Sequence, residues 1–107
     1  MTPSSGNRYK VCCAPKDLEQ LKAWGKKAAK LGMRDAFIAA LKTINDRLAT
    51  DPLAWGDPYF HLRQLGLLCC HGIHAMLHVY FAVDDEKKLV FVKEFKILPG
   101  HPLEGQG

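Results

Sequence analysis

At 107 residues, 48% hydrophobic and 24% charged, the chain has the composition of one globular domain rather than a disordered or fibrous protein. No apolar run approaches the ~20 residues needed to cross a bilayer, and Met1–Asn7 has neither the basic lead nor the apolar stretch of a secretion signal; the expectation is a cytoplasmic protein without membrane contact. The net charge of +4 is uneven: residues 1–50 hold ten Lys or Arg against four Asp or Glu, and residues 51–107 hold five against seven, a modest bias toward a polyanionic partner.

In chain order, residues 1–7 are expected to be flexible, and Arg8–Ala14 reads as a short strand ended by Pro15, a residue suited to the first turn of a helix. Leu18, Leu21, Trp24, Ala28 and Leu31 mark one face of a helix over 16–31, with Lys22, Lys26 and Lys30 in a row on the other side. Gly32 is a stop signal. Phe37, Leu41, Ile44 and Leu48 define a second amphipathic helix over 34–49, ended by Thr50-Asp51-Pro52. The short break between the two predicts an antiparallel helical hairpin.

Beyond a Pro/Gly loop the period changes. Strands are predicted at 59–68, 74–83 and 88–98, with a turn or bulge at Cys69–Ile73 and a polar hairpin loop at Asp84–Lys87. Leu77, Val79, Phe81 and Val83 alternate with His78, Tyr80 and Ala82, the pattern of a strand with one face buried. The fold class expected is α+β: an N-terminal β-strand, the helical hairpin, then a three-stranded antiparallel meander whose second face is open to water or a partner. The domain spans 8–98, and 99–107 reads as a flexible C-terminal tail.

Leu48-Ala-Thr-Asp-Pro52, Phe60-His-Leu-Arg63, His78-Val-Tyr-Phe-Ala-Val-Asp84 and Leu89-Val-Phe-Val-Lys-Glu-Phe-Lys96 are short motifs in a fixed order. Over residues 8–98 that order resembles the RelE/ParE toxin superfamily. The resemblance implies the toxin of a type II toxin–antitoxin system, such as those that stabilise plasmids. A RelE-like member is a ribosome-dependent mRNA endoribonuclease, or mRNA interferase, and needs no cofactor or metal. A ParE-like member inhibits DNA gyrase instead. Either is held by a cognate antitoxin protein. A non-catalytic member would keep only an interaction surface for an antitoxin-like peptide or a second copy in a homodimer. The chain departs from the pattern: the strand arginine falls on His78 and the following tyrosine on Phe81. The late basic cluster is reduced to Lys93 and Lys96, with His101 beyond.

RNA cleavage of this type activates a 2′-hydroxyl, balances charge on the phosphate and protonates a leaving 5′-oxygen. Histidine suits the proton transfers and arginine the phosphate. His78 is therefore the candidate acid or base. Arg63, Lys96 and Lys93 are candidate phosphate contacts, and His61 or His74 could assist. The plain alternative is that His78 fills a half-exposed sheet face beside Tyr80 and Met76. Lys22, Lys26 and Lys30 are either an RNA or DNA contact or a solvated helix face. Tyr59, Phe60, Tyr80, Phe91 and Phe95 are mainly core or sheet-surface residues, of which one or two could stack on a base. Cys69, Cys70, His71 and His74 lack the paired spacing of a zinc site and read as a packed turn with free thiols. No Gly-rich phosphate loop is present, and no Ser/His/Asp pattern is evident.

Overall fold

A computed structural model describes residues 8–104. The expected flexible residues 1–7 and the last three residues of the tail lie outside them. The described elements are β1 (Lys10–Cys13), α1 (Pro15–Lys30), α2 (Arg34–Thr50), the short α3 (Pro52–Trp55), β2 (Asp57–Leu62), β3 (Leu67–His74), β4 (Leu77–Asp84) and β5 (Leu89–Ile97). The strands form one sheet in the order β1-β5-β4-β3-β2. β1 runs parallel to β5, and the other pairs are antiparallel.

The architecture is α+β, with two differences from the expected meander. Four strands, not three, follow the helices, and the sheet is mixed because β1 joins it beside β5. The predicted strand over 59–68 breaks at a 3-10 turn, Arg63–Leu65, because Gly66 takes the left-handed conformation (φ +66°) that closes a hairpin into β3. Cys69–Ile73, expected to turn, lies inside β3. β4 starts at Leu77 rather than His74, since Ala75 (φ +54°) and Met76 make the β3–β4 turn.

The glycine that suggested a turn has another use. Trp55 packs against Gly72, where an added Cβ would come within 2.6 Å of two indole carbons. Glycine in a strand commonly marks such a close approach. Trp55 stacks on Phe81, their ring centroids 6.0 Å apart, and Gly56 is equally confined, a Cβ there meeting Phe81 at 2.5 Å.

The helices form as their sequence dictates. Pro15 opens α1, Asp17 occupies its first turn and Lys27 and Lys30 its last, each matching the helix dipole. The end of α1 is a Schellman cap: Met33 N–H donates to Ala28 O (2.7 Å) and Gly32 N–H to Ala29 O (3.2 Å), with Gly32 at φ +73°. Ala28, Phe37, Ile44 and Leu48 bury themselves against Leu77, Val79, Phe81 and Val90 on one face of the sheet. Trp24, expected in the core, is only half-buried at its edge.

After β5 the chain stays attached where a loose tail was expected. Leu103 is 1% exposed and belongs to the core cluster, and the Lys27 amine reaches its carbonyl at 3.4 Å. At the other end of β5, Tyr9 donates to the Asp85 carboxylate, and Lys88 lies 3.2 Å from the same oxygen and over the Tyr9 ring. These contacts tie the start of β1 to the β4–β5 turn.

The same substitution should therefore have opposite effects at two glycines. Gly72→Ala forces Trp55 aside and should cost about 1–3 kcal/mol. Gly25→Ala meets nothing nearer than the Phe37 ring at 3.8 Å and should stabilise the α1 interior by about 0.5–1 kcal/mol. Urea denaturation midpoints measure both; shifts of the same sign would contradict the packing described.

Candidate catalytic face on the open sheet

Strand parity sorts the residues of β3 and β4. Gly72 pairs with Val79 and Cys70 with Phe81 on the helix-covered face. His71 pairs with Tyr80 and Ile73 with His78, so these four lie on the open face. His71 and His78 are diagonal neighbours, and His71 Nδ1 lies 3.0 Å from His78 Nε2. One of these nitrogens donates to the other's lone pair.

Two tyrosines surround the pair. Tyr80 lies 4.5 Å from His78 and 5.9 Å from His71 between ring centroids. Tyr59 meets His71 at 5.8 Å and Tyr80 at 6.0 Å, edge-on to both. It sits where the β2–β3 register slips between Pro58 and Phe60, a bulge that re-aims its side chain. Lys96, opposite His78 on β5, places its amine 5.4 Å from the Tyr80 ring centroid. The result is a patch of two imidazoles, two phenols and the Lys96 ammonium, flanked by Asp57 opposite His71 and Glu94 opposite Tyr80.

Partial burial pushes the His78 imidazole below its ordinary value of 6.5, and the neighbouring His71 and the Lys96 charge push it the same way. At neutral pH His78 is therefore neutral and able to accept a proton.

The expected site residues divide sharply. His78 and Lys96 come together. Lys93 is the extra residue of a bulge in β5, because Tyr80 pairs with Glu94 and Phe81 with Val92; its amine lies 4.0 Å from Cys69 Sγ. Arg63 is exposed in the 3-10 turn, with no side-chain hydrogen bond or ion pair to the cluster among the described residues. His61 pairs with Leu68 and His74 with Leu77, partners that pack toward the core, so neither can assist His78. Lys22, Lys26 and Lys30 are exposed on α1, across the sheet from the histidines.

His71, which the sequence groups with Cys69, Cys70 and His74, is the partner that completes the pair. Those four cannot converge, since Cys69 and His71 face one way and Cys70 and His74 the other. Among the described residues no group of three or more His, Cys, Asp or Glu side chains is placed to hold a metal. Burial pushes the Cys70 thiol up to about 11, leaving it unreactive at neutral pH.

A second surface lies between α1 and α2. A groove of about 600 Å³ is lined by apolar side chains, among them Leu21, Phe37 and Leu41, and by Lys22, Lys26 and Arg34, with no acidic side chain. Among the described residues no helix is long and apolar enough to cross a membrane. No family model, curated protein or solved structure matches the chain.

A histidine titration followed by NMR should place the His78 midpoint below 6.5, and Lys96→Gln and His71→Gln should each raise it. The charged form is disfavoured in the folded state, so the unfolded chain binds more protons between the depressed value and 6.5. This contribution to stability is complete above 6.5 and is lost as pH falls through the folded value. A midpoint at or above 6.5 would contradict the geometry.

Proposed function

We propose that the chain is a RelE/ParE-like toxin acting as a metal-independent endoribonuclease on ribosome-bound mRNA, with His78 and His71 as its proton-transfer pair. The carrying observation is the 3.0 Å contact between His71 Nδ1 and His78 Nε2 on an open, aromatic sheet face. The succession of a strand, two helices and a sheet whose first strand lies beside its last supports the scaffold part of the reading.

In this reading His78 takes the proton of a 2′-hydroxyl, and the freed oxygen attacks the adjacent phosphorus. The bond to the 5′-oxygen breaks, leaving a 2′,3′-cyclic phosphate, and water at the open face protonates the departing oxygen. His71 holds the His78 ring and shares the positive charge that it acquires. Lys96 offsets charge building on the phosphate. Tyr59, 48% exposed, offers a ring on which an unpaired base stacks.

The alternative of a non-catalytic interaction module has its own support in the α1–α2 groove, whose apolar floor and basic lining suit a protein segment with acidic flanks. The cognate antitoxin is the partner proposed for it in either case.

Cleavage of mRNA on programmed ribosomes should fall about 10²–10⁴-fold in His78→Ala and His71→Ala, while both variants keep the wild-type circular dichroism spectrum. Intact mRNA with the wild-type chain overturns the nuclease reading. Block of gyrase supercoiling would then favour the ParE-like target, and inactivity in both assays the interaction module.

A further inference from the structure

We infer that His71 and His78 form a two-ligand chelate for a divalent transition-metal ion of the zinc class, held reversibly at the open sheet face. Two imidazole nitrogens on one tetrahedral zinc, each at about 2.0–2.1 Å, lie roughly 3.3 Å apart. His71 Nδ1 and His78 Nε2 already stand 3.0 Å apart. Rotation of both rings, so that each lone pair leaves the line joining the two nitrogens and converges on a common point, would open the pair around an ion.

The two ligands come from adjacent strands whose register is fixed on both sides of the contact, His71 opposite Tyr80 and Ile73 opposite His78. That rigidity lowers the ordering cost of chelation. Binding moves the proton now shared between the rings. In the bound form both facing nitrogens offer lone pairs, and the N–H groups sit on His71 Nε2 and His78 Nδ1. Both rings are only half-buried, so water can complete the coordination. With two protein ligands the ion exchanges with solvent rather than acting as a structural metal. The Lys96 ammonium faces the same patch and opposes a cation there, while the flanking strands bring two carboxylates to that face, Asp57 opposite His71 and Glu94 opposite Tyr80.

The ion occupies the lone pairs that proton transfer needs, so zinc inhibits cleavage. That consequence rests on the nuclease reading; the binding does not.

Calorimetric titration of the full-length chain with zinc chloride tests the chelate. One equivalent should bind. Affinity should fall at least about tenfold in His71→Ala and in His78→Ala, survive in Cys12→Ser/Cys13→Ser, and rise in Lys96→Gln. The last variant should lose RNA cleavage while gaining zinc affinity, so the two proposals fail separately. Absence of binding by the wild-type chain, undiminished binding in both histidine variants, or loss of binding in the cysteine variant would overturn the site.

Discussion

The indole of Trp55 against the bare backbone of Gly72 decides which way β3 faces. The contact leaves no room for a Cβ, so this point of the strand must turn toward the helices. Strand parity then does the rest: with Gly72 inward, His71 and Ile73 point outward. Pairing with β4 brings His78 and Tyr80 to the same side. Trp55 also stacks on Phe81, the inward residue of β4 next to Tyr80, so one side chain braces both strands from beneath the histidine pair. A one-residue slip would exchange the faces, burying the imidazoles and exposing the core.

The domain separates two chemistries by the thickness of its sheet. The open face holds imidazoles and phenols, suited to proton transfer and base stacking, together with Lys93 and Lys96 and the carboxylates of Asp57 and Glu94. The helix side presents Lys22, Lys26 and Arg34 around an apolar groove. In the proposed reading the first surface meets RNA and the second meets a protein segment. Charge on α1 need not contribute to cleavage at all. The lysine row that looked most like a nucleic-acid contact in the sequence borders that groove instead, with Lys22 and Lys26 in its lining.

The sequence revealed the parts of the fold governed by periodicity. The apolar stripe of α2, the stop at Gly32 and the alternation from Leu77 to Val83 appear where expected, whereas the α1 stripe is only partly used: Ala28 is buried but Leu18 and Leu31 are exposed. It concealed the parts governed by distant contacts. Gly72 and Gly66 look alike in a sequence, yet one makes space for an indole and the other supplies a left-handed turn. Trp55 near a glycine-containing apolar segment was the available hint.

At the candidate site His78 was legible because its strand alternates cleanly. His71 was not, because its segment read as a turn and its cysteines suggested metal. The bulges that re-aim Tyr59 and insert Lys93 leave no trace in spacing, since each depends on the register of a neighbouring strand. Leu103 was missed for a similar reason: a lone leucine after Pro99 and Gly100 has no period to announce its burial.

The most direct measurement is the chemistry of the cut end. Ribosome-bound mRNA incubated with the wild-type chain and a chelator selective for zinc-class ions, which leaves the ribosome its magnesium, should yield upstream fragments ending in a 2′,3′-cyclic phosphate, the product of 2′-hydroxyl attack assisted by His78 and His71. Fragments ending in a 3′-hydroxyl, cleavage that requires an added zinc-class ion, or no cleavage at all would contradict the account.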